Sequence, residues 1–469
     1  MYTMTWYIKR EKNNKKEGNF RMTKRIMAFA AAVLMAASVF TGCGSKTEDD
    51  AQAQTSVNVI ENGTTAPSGE EVTTAEGDFS DPAAQLGVET QPGDIPPEDA
   101  ENQETTLPPN HEEIVNMIEN GGGPVTTKAP ILKEYNVDCT TRYGYNQLND
   151  AEKELYKQIL EAANSIRTSL RVDDSVTDEM WIKVYGCVYM QEPQLFWLSS
   201  KKVSKGKLWY WEIDPELIAS MQKEIDATVG KILAEADGKS DYEKLKVFHD
   251  YIALNNNFVK ESGYNQTIYG GFVNGEIQCE GYAKSIQYLC DLTGIESTVV
   301  VGTNESGDSH AWNVVKVDGK WYNLDTTWDD PILSNVVKTN IRYRYFLVPD
   351  EWIHNKSHFN VNKKTTGTQV TYFTPPACTS DDMNYFKVTK QLYSDEASAD
   401  TALRAKLKEC AASNTRAVEI RVTSQAVYDA VTKNLKDYAS WIKSENSAVT
   451  SVSSNCDPNT LVIELDLSF

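Results

Sequence analysis

The chain has 469 residues, enough for two or three domains, and 40% of them are apolar, enough to bury real cores. Its net charge of −21 is concentrated, since residues 44–130 hold 18 Asp and Glu against two Lys, a net −16. The remainder carries no basic patch, so nucleic acid is not an expected partner.

In chain order, Met22-Thr23-Lys24-Arg25 followed by the apolar run Ile26–Phe40 has the n-region and h-region of a secretory signal. That run is shorter than the roughly 20 residues a membrane-spanning helix needs. Met22 is therefore the expected start of the natural protein. Phe40-Thr41-Gly42-Cys43 resembles a bacterial lipobox, with Phe40 replacing the usual Leu. On this reading residues 1–43 are a lipoprotein signal segment and Cys43 takes a lipid. The protein would then sit at the extracellular face of the cytoplasmic membrane, anchored by that lipid. Residues 44–130 are rich in Thr, Glu, Pro and Gln and nearly free of aromatics. Such a segment cannot offset the entropy of ordering and reads as a disordered acidic tether.

From Ile131 the composition turns globular, and residues 131–238 read as an N-terminal α/β region. Asn149 with Glu152 forms a capping box for a helix bearing Leu155, Ile159, Leu160 and Ile166. Thr177 opens a second helix through Met180, Val184 and Val188. Leu195–Ser199 and Lys207–Ile213 alternate as two strands. Asp214-Pro215 starts a long helix to Ala236, with Gly238 beyond it. Trp181, Phe196, Trp197, Trp209 and Trp211 are read as core rather than as a ligand surface.

Residues 239–378 carry the chemistry. Ser240 and Glu243 cap a helix with a buried stripe of Leu245, Phe248 and Ile252, and His249 on it reads as a hydrogen-bonded structural residue. Asn255–Gly275 is a polar loop suited to one wall of a groove. Cys279 then stands at the start of an amphipathic helix (Tyr282, Ile286, Leu289, Cys290) that ends at Gly294. The unpaired N–H groups and dipole of a helix start favour a thiolate, the nucleophilic form. His310–Val317 and Lys320–Trp328 read as strands joined by a two-residue Asp318-Gly319 turn. That register sets His310 opposite Thr327 and Asp325 one diagonal step away on the same face, about 7–8 Å between Cα atoms. One hairpin thus offers a base and its orienting carboxylate, and the helix offers the nucleophile.

The words Cys279-Glu280-Gly281-Tyr282-Ala283, His310-Ala311-Trp312-Asn313 and Asp325-Thr326-Thr327-Trp328-Asp329-Asp330-Pro331, in that order, resemble the transglutaminase-like superfamily over Tyr242–Pro331. The resemblance implies an α+β fold, with a Cys-bearing helix packed on an antiparallel sheet in the papain-like manner. It also implies a Cys279–His310–Asp325 triad. An oxyanion would be met by the Cys279 N–H and an upstream helper, Tyr269 or Gln266. The expected activity is a cysteine peptidase or amidase that forms a thioester on a peptide or protein substrate, without a cofactor. A cross-linking transglutaminase and a non-catalytic binding module on the same fold are the rivals.

Beyond Pro331, Arg342–Val348 and Thr365–Phe373 read as further strands. His354 and His358 lack an acidic or Cys partner at a matching spacing, so no metal site is expected. Residues 379–469 read as a small C-terminal α/β domain: helix, strand (Val418–Thr423), helix (Gln425–Ile442) and strand (Thr460–Leu467). The cysteines other than Cys43 have no regular spacing and no Cys-x-x-Cys pair, which speaks against structural zinc. Cys187 and Cys290 fall on apolar helix faces and read as inert core thiols.

Overall fold

The computed structural model describes residues 128–200, 203–260, 262–330, 341–359, 361, 372–413, 415 and 417–469. The expected signal segment with Cys43, nearly all of the acidic tether and most of Thr365–Phe373 lie outside the described residues.

Helix α1 (Asp150–Asn164) begins with the Asn149/Glu152 capping box, and Ile166 lies beyond its end at φ 51°. Helix α2 (Asp178–Gln191) is capped by the Thr177 side chain. The two strands that follow are shorter than their alternation suggests: β1 (Leu198–Ser199) pairs antiparallel with β2 (Trp209–Tyr210). The reason is local, because the Leu198 N–H turns back to the Leu195 carbonyl. Helix α3 (Pro215–Ala236) starts at Asp214, and α4 (Asp241–Asn255) at the Ser240/Glu243 capping box.

The expected polar loop of residues 255–275 is buried along its described residues 264–272. It forms a strap closed by the parallel pairing of β3 (Asn257–Phe258) with β4 (Glu276–Ile277), and Asn265, Gln266, Thr267 and Ile268 between them are buried. The strap leads into α5 (Cys279–Thr293), which ends at Gly294. Helix α5 packs on an antiparallel sheet of β5 (Ser297–Thr303), β6 (Ser309–Val317) and β7 (Lys320–Leu324), in the order β5-β6-β7. The fold is α+β, a Cys-bearing helix on an antiparallel sheet.

Two expected strands are corrected. The β7 strand stops at Leu324, and Thr326–Asp329 is a helical turn, α6, with Asp325 as its N-cap. An Asp that can accept first-turn N–H groups favours a helix start over a continued strand. Arg342–Val348 is a turn in which Leu347 has φ 54°, and only Val348 bridges to Asn323.

Near the C terminus β8 (Leu392–Tyr393) leads to α7 (Glu396–Ser413), β9 (Ala417–Val422), α8 (Gln425–Thr432), α9 (Leu435–Glu445), β10 (Ser451–Ser454) and β11 (Val462–Ser468). The single helix expected over Gln425–Ile442 is broken at Lys433-Asn434, and β10 is an additional strand. This sheet, ordered β10-β11-β9-β8, builds its own core from Leu403, Leu407, Ile420, Tyr438, Ile442 and Ile463.

The N-terminal helices, in contrast, share their core with the layer of α5 on β5-β6-β7. Tyr156, Trp181 and Val188 belong to one cluster with Ala283, Val300 and Trp312. Ile225 and Ile232 of α3 pack with Ile252, Tyr282 and Ile286. Polar contacts fix the far end of α5 as well. Arg142 bridges Asp291 (2.6 Å) and Glu192 (3.2 Å), and Lys133 Nζ donates to the Leu292 carbonyl (2.7 Å).

Candidate active site

Cys279 is the first residue of α5, and the side chain of Gln278 before it makes no capping bond. The first N–H groups of a helix lack intrahelical acceptors, so they remain available beside the sulfur. The strap passes directly over this first turn: Gln278 N–H donates to the Asn265 carbonyl at 2.8 Å. A Cβ at Gly281 would lie 2.4 Å from that same carbonyl oxygen, so the Gly of Cys-Glu-Gly is set by close approach. Asn313 Nδ2 donates to the Ala283 carbonyl at 2.9 Å, tying β6 to α5. Tyr282 donates its hydroxyl to Asp330.

The hairpin register is the expected one, with Val317 paired to Lys320 and Asn313 to Leu324 across Asp318-Gly319. Asp318 (φ 49°) and Gly319 (φ 77°) take the left-handed values that a two-residue hairpin turn requires. His310 is brought to Asp325 by a different route from the diagonal pairing. The chain leaves the sheet after Leu324, and the cap position aims the Asp325 carboxylate back at the imidazole. His310 Nε2 lies 2.5 Å from Asp325 Oδ2, and Cys279 is near enough to add to the raised pKa of His310. Nε2 is engaged by the carboxylate, which leaves Nδ1 for the thiol. The structure therefore brings His310 and Asp325 into contact, with Cys279 nearby.

The surroundings are apolar and aromatic. The imidazole of His310 stacks between Trp312 (5.8 Å) and Trp328 (5.1 Å). Burial alone would lower its pKa, but the charge and hydrogen bond of Asp325, with Cys279 adding, raise it to about 10. Burial would likewise raise Asp325, yet His310 and His358 hold it well below the usual carboxylate range. Asp325 Oδ1 accepts the N–H groups of Thr327 (3.0 Å) and Trp328 (3.2 Å).

A second histidine on this carboxylate was not assigned from the sequence. His358 Nε2 lies 3.0 Å from Asp325 Oδ2, whereas His354 turns to Asp350 at 3.4 Å. The pair therefore does not converge on a common point. The only sequence hint was the His-rich stretch itself, because the approach depends on a bridge between Phe359 and Thr303. Among the described residues, His310, Asp325 and His358 are the group whose metal-ligating atoms fall within 4.8 Å of one another. Asp325 Oδ2 and the Nε2 atoms of both histidines are engaged in the hydrogen bonds just given.

His249 is a buried structural histidine, as read. Its Nδ1 meets Asp250 (3.1 Å) and its Nε2 meets Asp329 (3.2 Å) at the end of α6. Asp329 also accepts the Tyr345 N–H (3.0 Å), and the Tyr345 carbonyl accepts the Asp325 N–H (3.2 Å). The turn carrying Asp325 is thus clamped at both ends. Of the two oxyanion-helper candidates, Tyr269 is committed elsewhere, to Glu224 at 2.8 Å. Gln266 stays next to the start of α5, with Nε2 donating to Gln278 Oε1 at 3.2 Å.

Residues 230–326 match the profile of the transglutaminase-like superfamily, and this part of the chain belongs to it. The chain is 26% identical over 98 residues to the Kyphoscoliosis peptidase of Homo sapiens, covering 18% of this chain and 15% of that protein. The Mus musculus protein of the same name matches over the same extent. The chain thus spans only about a seventh of the length of these curated relatives. Among solved structures, a TGase crystal structure is 20% identical (TM-score 0.23), covering 27% of this chain and 35% of that one. A putative cysteine protease from Cytophaga hutchinsonii is also 20% identical (TM-score 0.20; 25% and 43%).

Proposed function

We propose that this protein is a cysteine peptidase or amidase that works through a thioester. The observation that carries the reading is His310, with Nε2 on Asp325 and Cys279 beside it at the start of a helix. With its proton already resting on His310 Nδ1, the Cys279 Sγ thiolate attacks a peptide or carboxamide carbonyl. The C–N bond then breaks, and His310 returns that proton to the leaving amine. Water attacks the thioester, His310 takes its proton, and cleavage of the C–S bond restores the thiolate beside the imidazolium. Asp325 holds the Nε2–H tautomer throughout. The oxyanion is met by the Cys279 N–H, helped by the Gln266 amide.

The test is rapid quench of the full chain with a peptide library, followed by mass spectrometry of the Cys279 peptide. A substrate-derived thioester that water discharges supports the peptidase. Discharge by added amine alone makes the protein a cross-linking enzyme, and partner binding without a thioester makes it a binding module.

We further propose that residues 44–130 tether residues 131–469 to a lipid on Cys43, with 239–378 as the catalytic unit and 379–469 as a separate domain. Mass analysis of the mature N-terminal peptide should find a diacylglyceryl group, and an unmodified Cys43 would exclude the anchor.

A further inference from the structure

The buried ring of His358 is polar on both sides. Its Nδ1 lies 2.9 Å from Ser357 Oγ, and its Nε2 lies 3.0 Å from the Asp325 oxygen that also serves His310. An ionised carboxylate can only accept, so Nε2 carries the proton. Nδ1 then holds a lone pair and accepts the Ser357 hydroxyl. The tautomer is fixed from both ends.

The charged and titratable groups around this ring are His310 on β6, Asp325 before α6, His354 on its own loop and the Tyr345 phenol. Burial, opposed by Asp325 and reinforced by the two histidines, keeps His358 neutral down to about pH 4. The Asp325 carboxylate is therefore shared between one imidazolium and one neutral donor. The placement is built into the fold: Phe359 exchanges both backbone bonds with Thr303, at 2.8 and 2.9 Å. That bridge draws residue 358 over the end of β5.

We infer that His358 is a positioning residue, the fourth member of the Cys279–His310–Asp325 constellation, which donates Nε2–H to Asp325 Oδ2. It fixes the plane of the carboxylate and tempers the pull of that oxygen on the His310 proton. The inference rests on the catalytic reading above. A packing role is the rival, because the ring also lies against Trp312 (4.6 Å) and Trp328 (4.7 Å).

Two substitutions separate the roles. His358→Phe keeps an aromatic ring and removes the donor, whereas His358→Gln removes the ring and keeps an N–H at about the reach of Nε2. The readout is the rate at which iodoacetate alkylates Cys279 across the pH range, measured by mass spectrometry on the full chain. An anionic reagent reacts fastest with a thiolate beside an imidazolium, so the rate falls where His310 loses its proton. With the donor gone, Oδ2 holds that proton more strongly. The fall should move up by about half to one pH unit in His358→Phe, the size of one ordinary net hydrogen bond. His358→Gln should stay close to wild type. Ser357→Ala, which weakens the donor without touching the ring, should move the fall the same way by less.

A His358→Phe profile that superimposes on wild type, or a larger shift in His358→Gln, would overturn the inference in favour of packing. Should His358→Phe fail to fold, an unmoved Ser357→Ala profile would overturn it equally. A wild-type Cys279 with no such fall would instead sink the catalytic reading, and this inference with it.

Discussion

Gly302 stands directly opposite His310 in the β5–β6 pairing, and the Phe359 carbonyl occupies the space its missing side chain leaves. A Cβ there would lie 2.4 Å from that oxygen and 3.0 Å from the Trp312 indole. Gly302→Ala should push away the loop that delivers His358 and the ring stacked on His310. Overpacking of this kind costs about 1–3 kcal/mol. Urea unfolding should show the loss, and alkylation of Cys279 should slow in parallel. Unchanged stability would mean that the loop is free to give way.

The clamp at the other end of α6 makes a pH-dependent prediction. Burial would depress the His249 pKa, but Asp250 and Asp329 raise it to about 9 from an ordinary 6.5. The sign follows from linkage. Its contribution to stability is complete below about pH 6.5 and is lost as the pH climbs through 9. His249→Ala leaves Asp329 buried without its partner, a change that costs about 3–5 kcal/mol for such pairs. The stability gap between wild type and His249→Ala should narrow between pH 6.5 and 9. A gap independent of pH over that window would show that His249 is neutral in the folded chain.

The thiols should react in a fixed order. Burial pushes Cys187 up to about 12 and moves Cys290 and Cys378 higher still. Cys279 sits at a helix start beside an imidazole, the setting in which thiolates react. At mildly acidic pH iodoacetamide should modify Cys279 first, and the other three only after denaturation. Peptide mapping at short times decides this, and equal labelling would remove the case for an activated nucleophile.

Helix starts were the most legible features, because capping is written in four residues. The Asn149, Thr177, Asp214 and Ser240 caps all sit where the sequence puts them. The hairpin register was equally local, fixed by Asp318-Gly319. The route to Asp325 was not legible as drawn. A strand continued to Trp328 also keeps Asp325 near His310, so the right pair was reached through a wrong local geometry. The signal in the sequence that encodes this turn is the cap chemistry of Asp325. His358 was beyond reach for a different reason: it comes within 3.0 Å of a carboxylate 33 positions earlier only through the Phe359–Thr303 bridge. No periodicity or turn signal encodes such a contact.

Asp325→Asn is the sharpest test of the triad. The carboxylate accepts four hydrogen bonds, two backbone N–H groups on Oδ1 and two imidazole nitrogens on Oδ2. An Asn can keep its oxygen on the two N–H groups, but its NH2 then faces two rings that were themselves donors. His310 must put its proton on Nδ1, the nitrogen that should take the thiol proton, and His358 must move its own from Nε2 to Nδ1. The fold should survive, since the α6 cap is kept, while turnover of any confirmed substrate falls. The equivalent change in a serine-protease triad costs about 10⁴-fold, the upper bound expected here. Losing the buried charge also removes what raises the His310 pKa, so the iodoacetate profile of Cys279 should lose its reactive plateau near neutral pH. Cys279→Ala and His310→Ala should abolish thioester formation outright. Wild-type turnover in Cys279→Ala, or an unaltered alkylation profile in Asp325→Asn, would show that these residues are neighbours and not a triad.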